Sequence, residues 1–175
     1  LPILLGTARE GRLSEHAAKF VLAQAQGQDF ETELLDVRDF VGTGATQGMA
    51  EDKVKQWSEI MTRADGLIIV SPEYNYGYPG ELKLMLDQIY PEYANKAVAI
   101  CGVSVGWTGG VRVVEQLIAV AHTLKLYSIR NALYFPKVGD LFDESGAITD
   151  SGYEKNAQTM FDELTWLAAA LKEAR

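Results

Sequence analysis

The polar loop at residues 6–14, here called loop 1, carries two arginines, Arg9 and Arg12, directly before a predicted helix. We expect Ser14 to be the N-cap of that helix. Positive side chains at the positive end of a helix are unfavourable by about 0.3 to 1 kcal/mol each, unless an anion lies between them and the free amides. A phosphate held by amides, guanidinium groups and the hydroxyls of Thr7 and Ser14 would remove this conflict.

A simpler interpretation of loop 1 is also open, in which two solvated arginines pair with Glu10 and Glu15. The loop lacks the Gly-x-x-x-x-Gly-Lys-Ser/Thr pattern, so it is not the P-loop of a nucleoside-triphosphate site.

A second loop, residues 71–80, contains three tyrosines, two prolines and two glycines and follows a continuous apolar run. We call it loop 3, after the strand that precedes it. Proline and glycine exclude a helix here and weaken a strand. Aromatic faces and fixed amides at the carboxyl end of a buried strand suit a flat ligand, whereas the alternative is a well-packed surface turn.

The third such segment, residues 104–110, is loop 4 and is rich in glycine. Ser104, Gly106, Gly109 and Gly110 would let the backbone approach a ligand closely, or would equally serve packing. Arg112 follows at the start of another predicted helix, where it would face a second phosphate or a carboxylate. Trp107 is either a lid over a ligand or a surface anchor.

Residues 102–106 also match the Gly-x-Ser-x-Gly pattern of hydrolases, with Ser104 as the nucleophile. A hydrolase needs a histidine within hydrogen-bond reach of that serine. His122 lies about 18 Å along the following helix at 1.5 Å per residue, which is too far. His16 is nearer, but the chain order would differ from that of the α/β-hydrolases, and so we do not favour this class.

Short apolar runs alternate with helical patterns along the chain, which predicts a parallel sheet covered by helices on both faces. The predicted strands are residues 1–5, 30–37, 66–70, 96–104 and 127–135. The predicted helices begin near residues 15, 51, 81 and 111, with the last after a capping box at residues 151–154. Right-handed crossovers then bring loops 1, 3 and 4 to one edge of the sheet. Residues 38–50 are predicted to be a mobile loop.

The predicted helix at residues 81–90 has apolar residues around more than one face: Leu82, Leu84, Met85, Leu86, Ile89 and Tyr90. One core-facing stripe of a helix spans an arc of about 100° or slightly more. The surplus indicates a subunit interface of a homo-oligomer, or else burial under a neighbouring loop.

Composition limits the function classes. The chain has 175 residues with a net charge of −8, which suits one domain (1–175) and argues against general binding to nucleic acid or anionic membranes. Cys101 is the only cysteine, so an internal disulfide is impossible and a cytoplasmic protein is expected. With two histidines, a zinc site is not expected. We find neither a run of about 18 apolar residues nor a signal-peptide pattern.

Three motifs in order resemble the NADPH-dependent FMN reductase family, which includes quinone, azo-dye and chromate reductases. They are Gly6-Thr-Ala-Arg9 with Ser14, the loop from Pro72-Glu-Tyr-Asn75 to Pro79-Gly80, and Ser104-x-Gly-x-x-Gly-Gly110-x-Arg112. The resemblance covers nearly the whole chain. It implies a flavodoxin-like, doubly wound α/β fold with a five-stranded parallel sheet in the order 2-1-3-4-5.

The resemblance also implies an FMN site, whose residues fall into three groups. The phosphate would be bound within the set Thr7, Arg9, Arg12, Leu13, Ser14 and Glu15. The edge of the isoalloxazine ring would be held by Pro72, Glu73, Tyr74, Asn75 and Tyr76. The remaining side would be lined by Ser104, Gly106 and Gly109. Residues 77 and 78 differ from the smaller residues frequent in the family, which affects the substrate side more than the cofactor side.

The implied activity is hydride transfer from NADPH or NADH to N5 of FMN, followed by electron transfer to a small acceptor such as a quinone, an azo compound, a metal oxyanion or free flavin. FMN carries this chemistry, and no side-chain acid or base is required for the first half-reaction. The alternative is an FMN-binding electron carrier or a redox-responsive interaction module that does not turn over nicotinamide.

Overall fold

The computed structural model describes residues 1–28, 31–41 and 49–175. The apolar runs form parallel strands in the order β2-β1-β3-β4-β5, as predicted, and a sixth strand pairs with β4. The strands are β1 (Pro2–Leu5), β2 (Glu33–Asp36), β3 (Gly66–Pro72), β4 (Lys96–Val103), β5 (Leu126–Ser128) and β6 (Leu133–Phe135). Both central strands, β3 and β4, are buried along their whole length, which explains their uninterrupted apolar sequence.

Helices cover both faces of this sheet. They are α1 (Ser14–Gln26), α2 (Glu51–Arg63), α3 (Gly80–Leu86), α4 (Val111–Thr123), α5 (Val138–Leu141) and α6 (Gly152–Ala174). Successive strand residues point to opposite faces, so Leu4 packs with α2, α3 and α4, while Ile3 and Leu5 pack with α1 and α6. The predicted doubly wound α/β architecture is confirmed.

The predicted fifth strand, residues 127–135, is interrupted. Ser128 is paired with Val98 and Leu133 with Cys101, so two residues of β4 face the four residues 129–132. The backbone amides of Arg130 and Asn131 donate to the carboxylate of Glu163 in α6 instead of to β4. A long-range side-chain acceptor therefore divides the strand, and no local sequence pattern marks this.

The predicted caps of two helices also differ from the structure. Ser14 lies inside α1 as its first residue, and Leu13 takes the N-cap position without a side-chain hydrogen bond. At α6, Ser151 makes no capping bond, while Asp150 Oδ1 accepts from the amide of Gly152 at 2.8 Å. Ser151 thus lies at the predicted N-cap position, while the preceding aspartate, an equally strong cap, supplies the side-chain bond.

The helix predicted at residues 81–90 is shorter, since α3 ends at Leu86. Within the chain itself, Leu82, Met85, Leu86 and Ile89 are buried in the core formed with α2 and α4. Only Leu84 and Tyr90 retain accessible surface. Burial within the chain thus accounts for most of the apolar surplus seen in the sequence.

Parts of two predicted segments lie outside the described residues. Phe30, in the predicted second strand, is one of them, and so are residues 42–48 in the loop predicted to be mobile. On the described part, loops 1, 3 and 4 follow β1, β3 and β4, and pairing of Leu5 with Val70 and of Pro72 with Val103 brings them to the carboxyl edge together.

Candidate functional site

A small hydrogen-bond network holds loop 1 in place. Thr7 is fully buried, and its hydroxyl donates to Glu81 Oε1 at 3.2 Å. The same carboxylate oxygen accepts from the backbone amide of Ala8 at 2.8 Å. The Thr7 hydroxyl also lies 2.9 Å from the phenol oxygen of Tyr74. Glu81 begins α3 and Tyr74 belongs to loop 3, so this network joins loop 1 to both elements.

Arg12 is buried and is neutralised by the chain itself. Its guanidinium makes a two-pronged ion pair with Asp36 at the end of β2 and also donates to the carbonyl of Thr7. Burial alone would raise the pKa of Asp36, but hydrogen bonds from Arg12 and Arg38 outweigh burial and hold that pKa well below its usual range. Asp36 and not an exogenous anion is thus the charge partner of Arg12. Arg9 is the exposed arginine of the loop, and its guanidinium has no acidic partner among the described residues.

The groups on loop 1 that have no protein partner fit a phosphate. Ser14 is buried, and its hydroxyl oxygen has no hydrogen-bond partner among the described residues. The amides of residues 10–13 and the guanidinium of Arg9 likewise have no acceptor in that part of the chain. Gly11 has a φ of 64°, and the space beside its Cα is open. Successive free amides with a positive-φ residue form an anion-binding concavity at a helix start.

The two other predicted residues of loop 1 lie beside this concavity. Leu13 is partly exposed near Gly139. The side chain of Glu15 is engaged with Lys19 at 2.8 Å and with Arg12 at 3.6 Å. These carboxylate contacts keep Glu15 away from an incoming anion.

Loop 3 is a tight turn with unusual backbone angles. Tyr74 and Gly77 exchange two backbone hydrogen bonds of 2.9 Å each. Between them, Asn75 and Tyr76 have φ values of 50° and 67°. Positive φ at both central positions is the geometry of a type I′ turn, which tyrosine adopts only at a cost of about 1 to 2 kcal/mol. The turn leaves 69% of Tyr76 exposed.

Glu73 joins loop 3 to loop 4. Its carboxylate accepts from the amides of Arg112 and Val113 at 3.0 and 3.3 Å, which places a negative charge on the first turn of α4. The Arg112 side chain pairs with Glu115 at 3.1 Å and lies over the ring of Tyr76 at 6.0 Å. Of the two ligands predicted for Arg112, the structure therefore supplies a carboxylate.

Only some loop 3 amides are free to meet a ligand. Pro72 has no amide hydrogen, and the amides of Glu73 and Tyr74 donate to the carbonyls of Val103 and Gly77. Those of Asn75 and Tyr76 have no acceptor among the described residues.

Two glycines of loop 4, Gly109 and Gly110, are required by close packing. A Cβ on Gly109 would lie 2.9 Å from Tyr134 Cβ, and one on Gly110 would lie 2.7 Å from the amide nitrogen of Val103. Both residues have positive φ. Loop 4 is also fastened by Lys137, whose amide donates to the carbonyl of Gly106 at 2.9 Å.

Ser104 has surroundings unlike those of a hydrolase nucleophile. Its hydroxyl oxygen accepts from the amide of Gly106 at 3.0 Å. The ring of His16 stacks on Phe142 at 5.5 Å, which also gives Phe142 a local packing role. In the described ranges neither histidine bonds to Ser104, so the elements of a Ser-His pair are not brought together.

Exposed apolar side chains surround the three loops. Trp107 and Val105 of loop 4 are 81% and 78% exposed, and Tyr76 of loop 3 lies at the same sheet edge. Cys101, by contrast, is buried in β4, and its burial raises the pKa of the thiol to about 12. The thiol is therefore protonated and inert at neutral pH.

Two cavities lie away from this edge. One of about 610 Å³ is at the amino ends of the strands beside Pro2 and Asp65, and one of about 550 Å³ lies between α2 and residues 87–92. Asp65 is already paired with Lys172 and Arg175. We place the candidate site at the carboxyl edge because the buried unpartnered side-chain donors of the described chain, Ser14 Oγ and Arg12 Nε, lie there beside the free amides of loop 1.

The described residues hold no cluster of three or more histidine, cysteine, aspartate or glutamate side chains suited to a metal ion. No helix among them has the length and apolar character needed to cross a bilayer.

A family model described as NADPH-dependent FMN reductase matches residues 1–140. The chain therefore belongs to the NADPH-dependent FMN reductase family, as the three motifs predicted.

Among individual relatives, the NAD(P)H-dependent FMN reductase of Saccharomyces cerevisiae is 39% identical over 77 residues, or 44% of this chain and 39% of that protein. A second NAD(P)H-dependent FMN reductase, from Schizosaccharomyces pombe, is 31% identical over 134 residues, or 71% of this chain and 66% of that protein. Both matches span less than two thirds of the relative's own length.

Solved structures show the same fold. The flavoenzyme NAD(P)H:(acceptor) oxidoreductase FerB of Paracoccus denitrificans aligns over 95% of both chains with a TM-score of 0.78 and 20% identity. A flavodoxin from Streptococcus pneumonia TIGR4 aligns over 94% of this chain and 96% of its own with a TM-score of 0.60 and 11% identity. The predicted flavodoxin-like fold is confirmed.

Sequence reasoning missed two residues that shape the site, Asp36 and Glu81. Both lie where the predicted topology brings an element to the carboxyl edge of the sheet. Asp36 is the last residue of β2 and is paired with Leu5, and Glu81 is in the first turn of α3. An acidic residue at the end of the strand next to β1 was the available signal for an internal partner of Arg12.

Proposed function

We propose that this chain is an FMN-dependent NAD(P)H oxidoreductase that passes electrons to a small acceptor such as a quinone, an azo compound, a metal oxyanion or free flavin. The observation that carries the proposal is the set of unpartnered donors on loop 1, namely the amides of residues 10–13, the buried Ser14 hydroxyl and Arg9. Family membership and the flavodoxin-like fold support the same conclusion.

In this proposal the phosphate of FMN is bound by Arg9, Ser14 and the free amides of loop 1. Arg12 holds the loop in place through Asp36, to which both of its terminal nitrogens donate, while its Nε has no hydrogen-bond partner among the described residues. Leu13 and Glu15 flank the phosphate. When bound, FMN supplies the hydride and electron transfer chemistry, while the protein binds and orients it.

The isoalloxazine ring would lie between loop 3 and loop 4, with residues 72–76 on one side and Ser104, Gly106 and Gly109 on the other. The free amides of Asn75 and Tyr76 are suitable donors to an electron-rich flavin edge, because fixed amides require no reorganisation as charge develops. Exposed Tyr76 and Trp107 would flank the face on which the nicotinamide and the acceptor bind in turn.

The experiment is anaerobic mixing of the FMN-loaded protein with NADPH and, separately, with NADH, followed by one acceptor of each class. Loss of the oxidised flavin absorbance, and its recovery on adding an acceptor, is the expected result. Protein that binds FMN but keeps its absorbance with both nucleotides would instead be the electron carrier or redox-responsive module, which the acidic charge of −8 makes the second candidate.

Three further properties belong to this proposal: one domain over residues 1–175, a cytoplasmic location and a homo-oligomer formed through the helix predicted at residues 81–90. Leu84 and the exposed Tyr90 are the apolar groups left for such an interface. The molar mass in solution tests the last point, and replacement of Leu84 by lysine should lower it to that of one chain.

A further inference from the structure

The hydroxyl of Thr7 has no capacity left for a ligand. A threonine hydroxyl has one proton to donate and two lone pairs to accept with. Its proton is directed to Glu81 at 3.2 Å, and its oxygen lies within hydrogen-bond distance of the Arg9 amide at 3.3 Å and of the Tyr74 phenol at 2.9 Å. The side chain is also fully buried, so a bound molecule does not reach it.

This arrangement fixes the direction of the hydrogen bond between Thr7 and Tyr74. A carboxylate accepts and does not donate, so the Thr7 proton stays with Glu81. The phenol of Tyr74 must then donate its only proton to Thr7. What Tyr74 offers to a neighbouring molecule is an oxygen lone pair, which makes it an acceptor and not a donor.

An acceptor at this place selects among the groups of FMN. Phosphate oxygens and the ring carbonyls accept hydrogen bonds, whereas the ribityl hydroxyls and the ring N3–H can donate. Tyr74 contacts loop 1, whose free donors fit the phosphate, and the ribityl chain is the part of FMN bonded directly to that phosphate. We propose that Tyr74 accepts a hydrogen bond from a ribityl hydroxyl, and that Thr7 and Glu81 are positioning residues that keep the phenol in this acceptor state.

The inference rests on the proposed FMN site. It assigns Tyr74 to the polyol and makes Thr7 a positioning residue without a ligand contact, whereas the resemblance assigned Thr7 to the phosphate and Tyr74 to the ring. Three flavins separate these contacts: lumiflavin has the ring alone, riboflavin adds the ribityl chain, and FMN adds the phosphate. The dissociation constant of each is measured by quenching of flavin fluorescence for the wild-type protein, Tyr74→Phe, Thr7→Val, Thr7→Ser and Ser14→Ala.

Tyr74→Phe removes one hydrogen-bond acceptor. It should weaken the binding of FMN and of riboflavin by the same factor, about threefold to tenfold, and leave the binding of lumiflavin unchanged. Thr7→Val should change the three dissociation constants in the same way as Tyr74→Phe. Thr7→Ser, which keeps the hydroxyl, should bind all three flavins as the wild type does. Ser14→Ala, the matched hydroxyl on the phosphate side, should weaken FMN alone.

Other outcomes overturn the inference in recognisable ways. If Tyr74→Phe weakened the binding of lumiflavin equally, Tyr74 would contact the ring or the substitution would disturb the whole site. If it weakened the binding of FMN alone, Tyr74 would contact the phosphate. Unchanged dissociation constants for all three flavins would mean that the Tyr74 hydroxyl does not contact the flavin. If the wild-type protein bound no flavin at all, the proposed function itself would fail.

Discussion

The two arginines of loop 1 have different charge partners. Arg12 is buried against Asp36, whereas Arg9 is exposed and has no acceptor among the described residues. From the sequence, both arginines are cations in need of an anion, and the protein itself supplies the anion for Arg12. One guanidinium, together with Ser14 and the amides, is left for an exogenous anion.

Ser14 allows function to be separated from stability. Its buried hydroxyl has no partner in the described part of the chain, so Ser14→Ala should leave the free energy of unfolding of the FMN-free protein unchanged or up to about 1 kcal/mol higher. The same change should weaken FMN binding by at least about tenfold, because a hydrogen bond to a charged phosphate is lost. Urea unfolding and FMN titration measure the two effects.

Ser58→Ala is the matched control. The Ser58 hydroxyl donates to Glu92 at 2.5 Å, away from the three loops. Its removal should lower stability and leave FMN affinity unchanged. If Ser14→Ala destabilised the protein without affecting FMN, Ser14 would be a structural residue and the phosphate site would lie elsewhere.

The Arg12–Asp36 pair predicts a pH dependence of stability. Since the pKa of Asp36 is lower in the folded protein, the pair stabilises the fold fully above the unfolded pKa of about 3.9, and this contribution is lost as pH falls through the folded value. Asp36→Asn leaves Arg12 buried without its counter-ion and should cost about 3 kcal/mol at neutral pH, the low end for buried pairs because 20% of the Asp36 side chain is exposed.

Urea unfolding of both proteins from pH 7 down to pH 3 measures this cost. The difference between wild type and Asp36→Asn should be constant above about pH 5 and shrink below about pH 4. A difference that grew as the pH fell would contradict the assigned charge states.

At the scale of elements, loop 3 combines a strained backbone with an exposed aromatic side chain. Tyr76 has a φ of 67° in a turn whose two ends are hydrogen-bonded to each other. Strain of this kind persists only where the surrounding structure enforces it, and it is concentrated at functional sites. The turn keeps the amides of Asn75 and Tyr76 unpaired at the sheet edge.

A pair of substitutions at Tyr76 tests this backbone. Both Tyr76→Gly and Tyr76→Ala remove the ring, but only glycine relieves the positive φ. The glycine variant should therefore be the more stable of the two by about 1 kcal/mol in urea unfolding, the reverse of the usual order at exposed positions. Equal stability, or a more stable alanine variant, would mean that the turn does not have this conformation.

Secondary structure was predictable where it depends on local pattern, and less so where it depends on distant partners. The runs before loops 3 and 4 are buried strands because they are continuously apolar, and α2 and α4 have the expected inward stripes. The break between β5 and β6 depends on Glu163, which is more than thirty residues away in sequence. The end of α3 depends on how residues 87–90 pack, and the sequence pattern of apolar residues continues past it.

For the molecule as a whole, topology alone brings the site together. The strand order is 2-1-3-4-5, as the resemblance to the family implied, and with right-handed crossovers it places loops 1, 3 and 4 at one edge. Glu73 was expected at the site, but its bonds to the first amides of α4 were not. Glu81 and Asp36, which hold loop 1 to α3 and to β2, were not assigned from sequence. Carboxylates are common near loops, and only the three-dimensional register shows which amide or guanidinium each one reaches.

The crystal structure of the protein with FMN tests the central claim most directly. The account predicts the phosphate within hydrogen-bond distance of Ser14 Oγ, the Arg9 guanidinium and the amides of residues 10–13, with the ring between loops 3 and 4. Flavin bound instead in the cavity at the amino ends of the strands, or a phosphate that leaves Ser14 without a partner, would contradict it.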